Sequence, residues 1–237
     1  MAEVILALDL PSGDAALRLL ERVPGVAWVK VGSILMTREG PPLVRALVGR
    51  GLRVFLDLKW HDIPNTVAGA ATAARDLGVS MATVHASGGT AMLEAAATAA
   101  GPELGIVGVT VLTSFDSASY ARAVGRDTVE LTAEARRLAA TAAAAGLRGV
   151  VCSPHEIAAV RPVFPSGGWV VVPGIRRGGD VAGDQRRAAS PADAARAGAT
   201  HLVVGRPILA ADDPARAFDE MVEAACPACS GRGRQPS

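Results

Sequence analysis

Aromatic side chains are scarce in this chain of 237 residues, which holds three Trp, one Tyr and four Phe. Any core must therefore be built from the abundant Ala, Val, Leu and Gly, small side chains that let helices lie close against a sheet. Cysteine is equally sparse. There are three in all. Cys152 falls in an apolar strand and reads as a buried, inert thiol. Cys226 and Cys229 form a C-x-x-C near the C-terminus with no two further ligands nearby to complete a zinc site, so they read as a solvent-facing tail motif. Charge of one sign is lacking too. The formal net charge is +1, without the clustered Lys/Arg excess of a nucleic-acid footprint. Apolar runs are too short and interrupted to span a bilayer. The start, Met1-Ala2-Glu3-Val4-Ile5-Leu6, has no basic region ahead of a signal-like run, and a cytoplasmic protein is expected.

What the chain does have is strict alternation of strand-like and helix-like segments. Strands are expected at Val4 to Leu8, Ala27 to Val31, Val54 to Lys59, Ser80 to His85, Leu104 to Leu112, Gly149 to Cys152, Trp169 to Val172 and His201 to Val204. Helical patterns separate them: about Asp14 to Arg22, Gly40-Pro41-Pro42 on to Gly49, Asn65 to Leu77, Thr90 to Ala100, Val129 to Ala145 after a long polar loop, a short helix near Glu156, and Pro191 to Ala197. A final helix includes Phe218 and Met221. Eight βα units predict an α/β fold of the TIM (β/α)8 barrel type, a single catalytic domain over 1–225. Residues 226–237, rich in Gly, Arg and Ser, are expected to be a disordered tail. A doubly wound sheet would favour a glycine fingerprint after the first strand, and Asp9-Leu10-Pro11-Ser12-Gly13 is not one.

The densest chemistry lies in Asp57-Leu58-Lys59-Trp60-His61-Asp62-Ile63-Pro64-Asn65-Thr66. A strand continuing through Lys59 would alternate its side chains, placing Asp57 and Lys59 on one face. Asp62 lies beyond it in a loop, free to reach elsewhere. The plainer alternative is a surface ion pair at a strand end. In a TIM barrel, however, the C-terminal strand ends form the active-site face. Asp9, Lys30, Asp57, Lys59 and His85 would then crowd one mouth, with neighbouring strands ~4.8 Å apart.

After strand seven comes Pro173-Gly174-Ile175-Arg176-Arg177-Gly178-Gly179, and after strand eight Gly205-Arg206-Pro207. These match the usual phosphate position of the barrel. Glycines let backbone amides approach an anion, arginines supply forked donors, and Pro207 starts a helix whose positive end faces it. The stretch Gly178 to Arg187 reads as a lid that brings Gln185 down on closure.

With these pieces in place, the chain resembles the orotidine 5′-phosphate decarboxylase family from Leu6 to about Phe218. The carriers are Leu8-Asp9, Lys30-Val31-Gly32, the Asp57 to Thr66 stretch, Val109-Thr110-Val111-Leu112-Thr113-Ser114, Pro173-Gly174-Ile175-Arg176, Gly183-Asp184-Gln185 and Val204-Gly205-Arg206-Pro207-Ile208. The resemblance implies an enzyme that uses neither metal nor cofactor. Lys59 would protonate C6 of the pyrimidine, with Lys30, Asp57 and Asp62 completing an alternating charged array. Asp62 would come from the second subunit of a homodimer. The same resemblance implies Asp9 as ribose ligand, Thr113 together with Ser114 as pyrimidine contacts, Thr66 as a further substrate contact, and Arg176, Gln185, Gly205 and Arg206 as the phosphate grip. Trp60 departs from the pattern, at a position expected to face away from substrate.

Rival readings are a magnesium-dependent phosphosugar barrel with the same Asp-x-Lys-x-x-Asp spacing, such as 3-keto-L-gulonate-6-phosphate decarboxylase or hexulose-phosphate synthase, and a silent phosphate-binding barrel. Ribulose-phosphate epimerase fits less well, since its metal site needs histidines at strand ends where this chain has Lys30.

Overall fold

Eight parallel strands close in chain order, β1 pairing both β2 and β8. The structure, a computed structural model, describes residues 1–164, 167–176 and 188–226. Gln185, the lid stretch 178–187 and Cys229 lie outside the described residues, as does the tail after Cys226. The strands are β1 (Glu3–Ala7), β2 (Trp28–Gly32), β3 (Arg53–Trp60), β4 (Met81–His85), β5 (Gly105–Val109), β6 (Gly149–Val151), β7 (Trp169–Val172) and β8 (His201–Val204). Between and after them run α1 (Gly13–Arg22), α2 (Ser33–Gly49), α3 (Pro64–Asp76), α4 (Thr90–Ala100), α5 (Ser117–Ala123), α6 (Leu131–Ala144), α7 (Ile157–Val160), α8 (Pro191–Ala197), α9 (Arg206–Leu209) and α10 (Pro214–Ala224). The barrel expectation holds.

Most of the apolar core lies between the strands and the helix ring, where Leu6, Val29, Val54, Val84, Val150, Val170 and Leu202 meet Leu47, Val67, Leu93 and Ala139. The alternate strand residues point inward. At the N-terminal end they form a separate cluster of Ile5, Trp28, Phe55, Met81, Val107 and Val171. Here Trp28, Trp169 and His201 stack edge to face, with ring centroids 5.2 to 6.2 Å apart. Arg53 lies over the Trp28 ring at 4.6 Å and pairs with Glu3, which also accepts from Trp28 Nε1 at 2.7 Å. Trp169 fits because its neighbours are glycines: a Cβ on Gly105 would stand 2.1 Å from its ring, and one on Gly149 2.0 Å from its carbonyl oxygen.

Three local expectations need correction. The second helix starts at Ser33, ahead of Gly40-Pro41-Pro42, and bends at Gly40, whose φ is 62°. Proline at the start of the second segment needs no N–H there, so the pair punctuates the helix without ending it. The polar loop after β5 contains α5, opened by a capping box in which Asp116 and Ser119 satisfy each other's backbone N–H groups. Finally, Cys226 is buried rather than solvent-facing, at the foot of α10.

Candidate active site

The site begins with an irregularity in β3. Leu56 pairs with Ala82 and Trp60 with Val84, so β3 uses four residues where β4 uses two. Asp57, Leu58 and Lys59 thus stand opposite the single residue Thr83. Lys59 stands at φ 54°, left-handed and the only such non-glycine among the described residues, a conformation that costs an L-residue about 1–2 kcal/mol. The expected regular alternation is thus replaced by a bulge, a device that re-aims side chains. Asp57 and Lys59 still enter the same cavity, while Trp60 packs partly buried against the outer core.

The bulge completes a row of alternating charge. Lys59 Nζ donates to Asp57 Oδ1 at 2.8 Å. Lys30 Nζ lies 3.7 Å from Asp57 Oδ2 and donates to Asp9 Oδ1 at 2.9 Å. Lys30 is buried, with 8% of its surface exposed, and an unpaired ammonium there would carry a desolvation penalty of several kcal/mol. Its two carboxylate neighbours offset it. Gly32 makes the space, since a Cβ there would stand 3.1 Å from Lys30 Nζ. A surface ion pair does not describe this arrangement, because Asp57 and Lys30 are both largely withdrawn from solvent.

A cavity of about 290 Å³ opens at this end of the barrel. Asp9, Lys30, Asp57, Lys59, Thr113, Arg176, Gly205 and Arg206 all line it. Ser114 does not, which favours Thr113 of the two. Asp62 and Thr66 are exposed and lie outside it; the Asp62 carboxylate accepts from the Ile63 N–H at 2.6 Å. His85 ends β4 at this end of the barrel but does not line the cavity. Its ring lies 5.5 Å from that of His61, and burial, then the charges of His61 and Lys59, hold its pKa below the ordinary value.

Thr113 is steadied from behind. Val111, Tyr120, Leu131 and Leu138 form a small core beneath its loop, and Tyr120 donates to the buried Glu134 at 3.3 Å. Arg137 and Arg126 also bind Glu134, and the Arg137 hydrogen bond first of all keeps its carboxyl below the usual range.

On the anion side, Arg176 and Arg206 face the cavity from the ends of β7 and β8. A Cβ on Gly205 would meet only ordinary contacts, 3.4 Å from that of Ala7 and 3.7 Å from Asp9 Oδ2. The helix begun at Arg206 is a single turn, Arg206–Leu209, so its dipole is a small part of any anion grip.

Two residues escaped the sequence reading. Cys152, taken as an inert core thiol, is buried yet lines the cavity. Thr83 of β4, wholly buried, accepts from Lys59 N at 2.8 Å and donates to Asp57 Oδ1 at 3.1 Å. In sequence it is one residue of an ordinary strand. Among the described residues no three His, Cys, Asp or Glu side chains are grouped as a metal centre requires, and no helix is long and apolar enough to cross a membrane.

Residues 2–221 match the model of the family described as orotidine 5′-phosphate decarboxylase / HUMPS. Orotidine 5′-phosphate decarboxylase of Halorhodospira halophila is 51% identical over 222 residues, 90% of this chain and 92% of the relative. The protein of that name from Moorella thermoacetica is 48% identical over 224 residues, 91% and 88% of the two chains. Among solved structures, that of orotidine 5′-phosphate decarboxylase from Lactobacillus acidophilus superposes with a TM-score of 0.84 at 32% identity, covering 95% of this chain and 99% of its own.

Proposed function

The chain belongs to the orotidine 5′-phosphate decarboxylase / HUMPS family, and we propose that it converts orotidine 5′-phosphate to uridine 5′-monophosphate and carbon dioxide with the charged row as its machinery. It is a carboxy-lyase of pyrimidine biosynthesis, like the relatives that carry that name. The observation that carries the mechanism is the pairing of Lys59 with Asp57 in a cavity that also presents Arg176 and Arg206.

The chemistry explains the residue types. The bond from C6 to the carboxylate breaks with its electron pair left on C6, in an orbital that cannot delocalise into the ring. An ammonium aimed at C6 stabilises the developing charge and then gives it a proton, forming the C–H bond; solvent returns a proton to Lys59. Asp57 orients Lys59 and crowds the substrate carboxylate, a group that departs as neutral carbon dioxide while its negative charge passes to C6. Lys30 holds Asp57 from the other side and holds Asp9 toward the ribose. Thr113 faces the pyrimidine, and Arg176, Arg206 and Gly205 take the phosphate, with Gln185 as a further donor. Remote phosphate binding then helps to assemble the site.

Asp62 completes the array in a homodimer. It lies outside its own subunit's cavity, beside Ile63, which is 66% exposed, and Ile34, at 59%, is a second large apolar side chain left in solvent. An exposed apolar side chain next to an outward carboxylate fits a two-fold contact that carries Asp62, and Thr66 beyond it, into the neighbouring site.

The decisive assay follows loss of the ultraviolet absorbance of orotidine 5′-phosphate, with and without EDTA. Turnover that persists in EDTA is expected. No turnover by folded protein would overturn the assignment, and EDTA-sensitive action on a phosphosugar would favour the magnesium-dependent rivals. For the shared site, inactive Lys59→Ala and Asp62→Ala proteins are mixed and allowed to exchange subunits. Half the dimers are then hybrid with one intact site, and roughly a quarter of wild-type activity returns. Demonstrated exchange with no recovery would end the shared-site proposal.

A further inference from the structure

We infer that Thr83 is a positioning residue for the decarboxylation, its hydroxyl setting both the backbone of Lys59 and the carboxylate of Asp57. This rests on the roles given to Asp57 and Lys59 above. Thr83 does not line the cavity and is 0% exposed, so it acts through its neighbours.

The direction of each hydrogen bond is determined. A backbone N–H only donates, so the 2.8 Å contact from Lys59 N occupies a lone pair of Thr83 Oγ1. A hydroxyl carries one hydrogen, and Asp57 Oδ1 lies 3.1 Å away to accept it. That same oxygen accepts from Lys59 Nζ at 2.8 Å. Both ends of one lysine are therefore tied to a single carboxylate oxygen, the ammonium directly and the amide through the Thr83 hydroxyl.

The tie sits where the chain is least content. Lys59 is left-handed at φ 54°, within a segment that has left the regular β3–β4 ladder. Its amide donates there to the Thr83 hydroxyl, a side chain of the neighbouring strand. The Thr83 hydrogen also holds Oδ1 toward Lys59. Without it the Asp57 carboxylate is free to turn toward Lys30, whose Nζ stands 3.7 Å from Oδ2.

Wild type, Thr83→Val and Thr83→Ser are compared as full-length chains, measuring kcat and KM for orotidine 5′-phosphate and Kd for uridine 5′-monophosphate. Valine keeps the shape and removes the hydroxyl; serine keeps the hydroxyl and removes a methyl group. The expected result is a loss in kcat on the order of 100-fold in Thr83→Val, with KM and product Kd little changed, and a kcat close to wild type in Thr83→Ser. A packing role gives the opposite order, serine impaired and valine intact. Thr83→Val at wild-type kcat, or Thr83→Ser as slow as Thr83→Val, overturns the inference. If the valine protein does not fold, Thr83→Ala replaces it, and equal kcat for alanine and serine overturns the inference in the same way. Wild type that does not turn over removes the functional assignment and this inference together; active wild type beside an unimpaired valine variant removes this inference alone.

Discussion

At the C-terminal end of the strands Asp9, Lys30, Asp57 and Lys59 face an open cavity, whereas at the N-terminal end Trp28, Trp169 and His201 fill the barrel ring against ring. Both ends carry acid–base pairs. Below, Glu3 and Arg53 lie against the Trp28 ring and close off an apolar plug. Above, the charges are held by one another and by a buried hydroxyl, beside a backbone residue in an unfavourable conformation. The lower end can relax into its best packing because nothing has to enter it. The upper end must leave a space for the substrate.

That contrast is broken or sharpened most strongly at Lys59. Lys59→Ala is expected to fold and bind uridine 5′-monophosphate while losing kcat by about 1000-fold or more; near-normal kcat would remove the ammonium from the chemistry. The reverse experiment is Trp28→Ala. Deleting this buried ring should lower unfolding free energy by about 3–5 kcal/mol in denaturant titrations, with the kcat of the folded fraction unchanged. An effect on kcat instead would mean that the two ends are coupled.

A smaller effect concerns His201, whose pKa is lowered to about 4, mainly by burial. The unfolded chain, with the ordinary value near 6.5, binds the proton more readily. Stability from this group is therefore full above about 6.5 and is lost as pH falls toward 4, by roughly 3 kcal/mol at most. Thermal melts between pH 7 and 4.5 should show the decline, and His201→Phe, which keeps a ring, should flatten it. An unchanged slope in that variant would place the acid sensitivity elsewhere.

The barrel was legible because apolar runs such as Trp169–Val172 and His201–Val204 stand between clear helix signals, and these strands have the boundaries the pattern implies. The charged row was legible because Asp and Lys at successive strand ends need partners. Three-dimensional register was not. Period-two counting along β3 says nothing of how many residues β4 uses alongside, so the bulge at Asp57 to Lys59 and its Thr83 support were invisible. Gly32 reads as part of a motif, and its reason, room for the Lys30 ammonium, exists only once β2 is folded. That His85 does not line the cavity was not legible either, because a strand-end position does not by itself say which way a side chain turns.

The left-handed backbone at Lys59 has a consequence for the balance between endurance and activity. Glycine adopts that conformation without the penalty a lysine meets, so Lys59→Gly would relieve about 1 kcal/mol of strain while deleting the proposed proton donor. With Lys59 in the proposed role, drift toward greater robustness at this position leads to an inert barrel, and the need for turnover keeps a lysine where its own backbone would rather not be.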